Sequence, residues 1–165
     1  MHPAALPPDD LLRQCDETRT RRSGPGGQHR NKVETAVILR HRPTGLSAEA
    51  SERRSQADNR RVAVWRLRLL LALAHREPPE LNGPSELWQS RTRGRQLSIA
   101  EDHDDYPAIV AEALDQLLPV GFEIKPVAES LGVSPSQLMK LFRQVPAAWM
   151  ALNRLRCDAG LVPLK

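Results

Sequence analysis

The sequence predicts an α+β protein, in which a small domain of strands and one long helix is followed by an all-helical region. Two observations carry this prediction: β-branched and aliphatic runs are separated by turn residues up to Ala50, and apolar residues recur at helical spacing after it. Prolines and an Asn-Gly pair separate the two regions. The predicted organisation is a loose tail over 1–10, a domain over 11–77, a linker over 78–83 and a helical region over 84–165.

The first domain is predicted to contain three strands. A short helix begins near Leu11, residues 15–22 form an exposed strand, and residues 33–41 form a buried one. After a Pro43-Thr44-Gly45 turn, residues 46–50 form the last strand.

One long helix completes this domain. Ser51 or Ser55 caps it, and it runs to about His75 before Pro78-Pro79. Its apolar positions recur at helical spacing and are Val62, Ala63, Trp65, Leu67, Leu69, Leu70 and Leu73.

The C-terminal region is predicted to be helical throughout, with five short helices. The first begins at Pro84 and the second follows an Asp104-Asp105 cap. The other three span 123–131, 135–144 and 147–158.

Residues 124–144 contain a helix, a glycine turn and a second helix capped by Ser134, which resembles half of an AraC-type helix-turn-helix module. In that arrangement Ser136, Gln137 and Lys140 are exposed, while Leu138, Leu141 and Phe142 pack inward. The same arrangement also packs helices where no nucleic acid is involved.

Charge is distributed unevenly along the chain, whose formal net charge is +4. Residues 1–76 hold 15 Lys and Arg against 8 Asp and Glu, which favours a polyanionic partner, although a solvated basic surface gives the same count. Acidic residues are concentrated at Glu101, Asp102, Asp104, Asp105, Glu112 and Asp115. Helix capping and solvation explain this acidic spacing better than a cation site does, so no metal is expected.

The apolar run 67–74 is too short for a membrane span and is interrupted by Arg68, and the N-terminus lacks a signal-peptide pattern. The two cysteines match no metal or redox spacing. We therefore expect a cytoplasmic protein with no membrane contact.

The segment Gly26-Gly27-Gln28 carries an amide side chain on a backbone that glycines leave free to adopt unusual conformations. Such a loop can aim backbone N–H groups at an oxyanion or a phosphate. For these three residues alone a plain turn between strands is the favoured interpretation, so the surrounding sequence decides.

That surrounding sequence resembles the catalytic domain of class I peptide chain release factors. Residues 22–37 read R-S-G-P-G-G-Q-H-R-N-K-V-E-T-A-V, and residues 52–60 read E-R-R-S-Q-A-D-N-R. Members of the family carry R-S-S-G-P-G-G-Q-x-x-N-K and, further on, R-S-Q-x-x-N. The resemblance also includes His41 and the Pro43-Thr44-Gly45 turn, and it covers about 11–76.

The resemblance implies hydrolysis of the ester that joins a nascent peptide to tRNA in the ribosomal peptidyl transferase centre. It implies that Gly26, Gly27 and Gln28 are catalytic: the Gln28 backbone N–H donates to the developing negative charge, its side chain admits water, and the glycines permit close approach. No cofactor is implied. The implied partners are large-subunit ribosomal RNA and peptidyl-tRNA, and we expect a monomer. A release-factor glutamine methyltransferase is a candidate partner, but the sequence does not decide whether Gln28 is methylated.

Further residues are implied to contact RNA through phosphates and riboses. They are Arg22, Ser23, Gly24, Pro25, His29, Arg30, Asn31, Lys32, Arg54, Ser55, Gln56 and Asn59. At Arg54, Ser55, Gln56 and Asn59, helix capping and solvation are an equal alternative. His29 is an RNA contact or a bystander, because the matching family position is not catalytic.

The motif begins at Arg22, so we expect no stop-codon-reading domain before it. This favours the short, codon-independent members of the family that rescue stalled ribosomes. The dense basic tail of those members is not evident here, because residues 119–165 hold only six basic residues. The alternative is a non-catalytic regulator that binds nucleic acid or docks on the ribosome through the helix-turn-helix.

Overall fold

The structure is a computed structural model, which describes residues 1–20, 36–77 and 83–165. These residues form two compact units: Leu6–Leu71, and Met1–Ala5 together with Ala72–Lys165. The first unit contains the sheet and the second is mainly helical, so the predicted α+β class is confirmed.

The first unit is built on a three-stranded antiparallel sheet. Helix α1 (Pro8–Arg13) leads into β1 (Cys15–Thr20), β2 (Ala36–His41) and β3 (Ser47–Ala50), in the order β1-β2-β3. The central strand β2 is the most buried, as its aliphatic sequence predicts.

Helix α2 (Gln56–Ala74) has the predicted length, and part of its predicted apolar set is buried. Ala63, Leu67 and Leu69 are buried, whereas the other four predicted positions, Val62, Trp65, Leu70 and Leu73, are half-buried. The apolar residues are too densely spaced along this helix for periodicity alone to decide which of two neighbouring faces is inward.

The second unit contains α3 (Glu86–Ser90), β4 (Thr92–Arg93), β5 (Gln96–Leu97), α4 (Tyr106–Leu117), α5 (Ile124–Ser130), α6 (Pro135–Arg143) and α7 (Pro146–Asp158). Helix α4 is its centre. Ten of its residues are buried, since it is apolar around most of its circumference. Two aromatic side chains form hydrogen bonds between helices. Trp88 Nε1 on α3 donates to the carbonyl of Leu131, just after α5, at 2.9 Å, and the Tyr106 hydroxyl on α4 donates to the Leu141 carbonyl on α6 at 2.8 Å.

The prediction that residues 84–165 are wholly helical is wrong at 92–97. There β4 and β5 pair as a small antiparallel hairpin, with Thr92 opposite Leu97 and Arg93 opposite Gln96. Gly94 adopts a φ of +57° in the turn, which a residue without Cβ tolerates best. Each strand has only two residues, too few for an alternating pattern to be visible in the sequence.

The predicted loose tail also differs from the structure. Pro3–Ala5 forms a 3-10 turn and α1 begins at Pro8, where proline suits the first helical turn and Asp9 and Asp10 favour its positive end. His2 is buried: its Nδ1 accepts from the Ala4 N–H at 3.0 Å, so Nε2 is protonated and donates to the His75 carbonyl at 3.1 Å. Burial lowers the pKa of His2 to about 4, which keeps this buried ring neutral.

In the described part of the chain, no helix combines the length and apolarity that crossing a bilayer requires.

Candidate functional site

The residues predicted to be catalytic, Gly26, Gly27 and Gln28, lie outside the described residues, as do the predicted RNA contacts between Arg22 and Lys32. The structure does describe where that segment is attached. Thr20 at the end of β1 pairs with Ala36 at the start of β2, so 21–35 connects two antiparallel neighbours at one end of the sheet.

The β1 strand is linked to α2 by a partly exposed ion pair. Glu17 accepts from Arg60 Nε at 2.8 Å and from the neighbouring Arg19 at 3.0 Å. Partial burial alone would raise the pKa of Glu17, but the bonds from Arg60 and Arg19 outweigh it and lower the pKa. Glu17 therefore remains charged at neutral pH and ties the strand leading into the motif to the long helix.

The turn between β2 and β3 is organised by His41, which is 1% exposed. One ring nitrogen lies 3.0 Å from Gln14 Oε1 and the other 2.9 Å from Thr44 Oγ1. Gly45, with a φ of +73°, closes the turn by donating to the His41 carbonyl at 2.8 Å. His41 is thus structural in this unit.

Asn59 holds the loop before α2. It is fully buried; its Oδ1 accepts from the Arg53 N–H at 2.8 Å and its Nδ2 donates to the Arg53 carbonyl at 3.0 Å. Of the two alternatives at this position, the geometry favours the structural one, because a fully buried amide has no surface to offer RNA.

The other predicted contacts around this loop are more accessible. Ser55 Oγ accepts from the Asp58 N–H at 3.3 Å, so Ser55 rather than Ser51 caps α2. Gln56 is the first residue of that helix and is half-buried. The Arg53 and Arg54 side chains are exposed, and in the described part of the chain neither forms an ion pair.

A second link between loop and helix is not evident from the sequence. Arg66 donates to the Glu49 carbonyl at 2.8 Å and to Glu52 Oε1 at 2.7 Å. Partial burial tends to raise the pKa of Glu52, but the backbone N–H groups of Glu52 and Ser51, together with Arg66, lower it. Together with Asn59, these bonds fix the loop that presents Arg53 and Arg54.

We expect Asn59→Ala to lower the free energy of unfolding by about 1–3 kcal/mol, because it leaves the N–H and carbonyl of Arg53 without their partner. Arg54→Ala, the matched control from the same loop, should change it by less than about 0.5 kcal/mol, since that side chain is exposed. Urea denaturation of both variants measures this. A stability loss at Arg54 but none at Asn59 would contradict the assigned roles.

Three of the acidic residues after Leu97, namely Asp105, Glu112 and Asp115, form bonds within the second unit. Glu112 accepts from the Ser85 N–H at 2.7 Å and from its hydroxyl at 2.6 Å, while Asp115 pairs with Arg76 at 3.1 Å. Asp105 lies at the start of α4 but makes no side-chain capping bond, as its carboxylate pairs with Arg91 instead. Across residues 1–20, 36–77 and 83–165, no three metal-ligating side chains cluster.

Chemically, the described residues supply a rigid frame and exposed cations. The pairing of Thr20 with Ala36 brings together the two residues that flank 21–35, and the loop over 51–55 presents two arginines suited to phosphate contact.

Comparison with known proteins identifies the family of this α+β protein. Residues 10–101, more than half of the chain, match the RF-1 domain. The chain therefore belongs to the class I peptide chain release factor family, and the resemblance found in the sequence is confirmed.

Individual relatives match different shares of the chain. It is 37% identical over 106 residues to peptide chain release factor 2 of Staphylococcus haemolyticus, which is 58% of this chain and 28% of the relative. It is 43% identical over 72 residues to the chloroplastic release factor PrfB1 of Arabidopsis thaliana, which is 44% and 15% of the two chains. An uncharacterized mitochondrial release factor-like protein of Saccharomyces cerevisiae is 38% identical over 80 residues, 47% of this chain and 52% of that one.

The chain thus spans at most about half the length of these relatives. Because two of them are organellar, the cytoplasmic location stays a prediction.

Proposed function

We propose that the protein hydrolyses the ester of peptidyl-tRNA in the ribosomal peptidyl transferase centre and does so without reading a codon. The observation that carries the proposal is the Gly26-Gly27-Gln28 motif within a chain that belongs to the release factor family. The attachment of 21–35 to paired ends of β1 and β2 supports it, since the reaction requires a catalytic segment held on a firm base.

In the proposed reaction, a water oxygen attacks the ester carbonyl carbon, and the bond to the tRNA 3′-oxygen then breaks. Negative charge develops on the carbonyl oxygen and on the leaving oxygen. The backbone N–H of Gln28 donates a hydrogen bond that strengthens as this charge develops. The Gln28 side chain shapes a space that fits water, and Gly26 and Gly27 let the backbone come close to the terminal adenosine.

RNA contact is assigned to basic and polar residues on both sides of the motif and in the loop before α2. Arg54 is exposed at that loop, and Arg53 beside it adds a second exposed cation. Such contacts position the protein on RNA without reading its sequence. Three further residues support this loop. Ser55 caps α2, Gln56 is the first residue of that helix, and Asn59 bonds to the backbone of Arg53.

The residues just before the motif belong to the scaffold of this domain. Residues 8–20 form α1 and β1, and β1 pairs with β2 along its whole length. Codon independence is the finer part of the proposal, which release from ribosomal complexes with different decoding sites tests directly. The partners in this proposal are the ribosome and peptidyl-tRNA, with a glutamine methyltransferase as a further predicted partner and a monomeric protein as the acting species.

We expect the double substitution Arg22→Ala and Lys32→Ala to weaken ribosome association and to flatten its dependence on salt. Each lost phosphate contact removes about 0.7–0.9 from the slope of log affinity against log salt, because fewer counterions are released. Sedimentation with ribosomes over a series of salt concentrations measures the slope. A slope identical to that of the wild type would show that the two residues are only a solvated basic face.

The proposal is tested by release of labelled peptide from purified ribosome–peptidyl-tRNA complexes, compared with free peptidyl-tRNA. Release from the ribosomal complex alone supports it. Association with ribosomes without release, or binding to a specific DNA sequence, would instead support the non-catalytic regulator.

A further inference from the structure

The β4–β5 hairpin lies against the beginning of α6. The Ser134 N–H donates to the Arg95 carbonyl at 3.1 Å, and the Leu97 N–H donates to Gln137 Oε1 at 3.4 Å. Ser134 also caps α6 by accepting from the Gln137 N–H at 3.2 Å. The hairpin turn and the first turn of α6 are therefore held together by bonds at both Ser134 and Gln137.

This pair of elements is basic. Residues 92–98 and 131–143 contain Arg93, Arg95, Lys140 and Arg143 and no Asp or Glu. Arg143 stacks over Trp149 at 4.7 Å and donates to the Lys165 carbonyl, so it is engaged elsewhere. Arg93, Arg95 and Lys140 are exposed, and in the described part of the chain none of them forms an ion pair. Cations without acidic partners at a surface attract a polyanion.

On α6, the polar groups that remain exposed are suited to backbone contact rather than to base reading. Ser136 and Lys140 lie four residues apart on α6 and therefore share one face. Gln137, which could read an adenine edge, is half-buried and already occupied by the Leu97 N–H, contrary to the predicted exposure. We call Arg93, Arg95, Ser136 and Lys140 the hairpin–α6 surface.

We propose that the hairpin–α6 surface binds the phosphate backbone of double-stranded ribosomal RNA. The inference rests on the proposed function in one respect, namely that the polyanion is on the ribosome. RNA is favoured over DNA because the deep, narrow major groove of an A-form helix cannot be read by side chains, and its recognition depends on phosphate and ribose contacts. A surface whose three exposed cations have no acidic partner within residues 92–98 and 131–143 fits that requirement.

The test compares the full-length protein with two double variants that lose the same charge. Arg93→Ala with Arg95→Ala removes the hairpin cations, whereas Arg154→Ala with Lys165→Ala removes two exposed cations from α7 and the C-terminus. The probes are a labelled RNA duplex of about 16 base pairs and the DNA duplex of the same sequence. We expect the hairpin variant to bind the RNA about tenfold more weakly and to lose about 1.8 from its salt slope, while the control variant keeps the wild-type values.

Several outcomes would overturn the inference: no binding of RNA by the wild type, equal losses in the two variants, an unchanged salt slope in the hairpin variant, or tighter binding of the DNA duplex. Peptide release is measured separately at saturating protein. If the wild type releases no peptide but the hairpin variant binds RNA more weakly, the proposed function is refuted and the proposal for the hairpin–α6 surface stands. If the wild type releases peptide but the hairpin variant binds RNA as well as the wild type does, the proposed function stands and the proposal for this surface is refuted.

Discussion

Replacement of Gly27 by alanine is expected to slow peptide release by about 10²–10³-fold, because the added Cβ restricts the backbone that presents the Gln28 N–H. Loss of one such donor to a developing oxyanion costs about 3–4 kcal/mol in other enzymes. Gln28→Ala keeps that N–H but removes the side chain that shapes the water site, so a smaller loss is expected. Single-turnover release from stalled ribosomes measures both variants.

His29→Ala is the matched control for the chemical step, since it alters the same segment at a position assigned at most an RNA contact. It should release peptide at nearly the wild-type rate, and all three variants should still sediment with ribosomes. Wild-type rates for Gly27→Ala and Gln28→Ala would show that the catalytic assignment is wrong. A large loss at His29 would point instead to a general base.

The second large effect is expected at a buried ion pair in the helical unit. Asp115 on α4 is 5% exposed and accepts from Arg76 at 3.1 Å and from the Glu77 N–H at 3.2 Å. Burial raises the pKa of Asp115 to about 6, even though Arg76 acts in the opposite direction. Asp115→Ala leaves the buried Arg76 cation without its partner, and we expect the free energy of unfolding to fall by about 3–5 kcal/mol.

The double variant Arg76→Met with Asp115→Leu serves as the control for this prediction. It removes both charges and should recover most of the stability that Asp115→Ala loses, because replacing a buried pair by apolar residues is often neutral. Thermal unfolding and urea denaturation at pH 7.5 measure all three proteins. If Asp115→Ala unfolds like the wild type, the pair does not anchor the chain after α2.

The elements of this fold that the sequence predicts well are those with a long or capped pattern. Strand β2 is recognisable from its aliphatic run, and α6 from the Ser134-Pro135 start that does cap it. The family was recognisable because two long motifs occur in the right order. These signals are local in the chain, so they survive without knowledge of tertiary contacts.

What the sequence does not reveal depends on contacts between distant residues. Buried His2 is bonded to His75, which is distant in the sequence. The bonds between Asn59 and the Arg53 backbone depend on the conformation of the loop before α2. The hairpin at 92–97 is stabilised in part by α6, which lies far along the chain. Polar residues engaged in this way look the same in sequence as exposed ones, which is why the sequence predicts an exposed Gln137 and leaves RNA contact and a structural role open at Asn59.

The most direct test of codon-independent release is the single-turnover rate of peptide release from three ribosomal complexes that differ only in the decoding site. One contains an mRNA that ends in the P site, the second a stop codon and the third a sense codon. We predict release from the first complex, at a rate that the stop codon does not increase. Release that requires the stop codon, or no release from any of the three, would contradict the account.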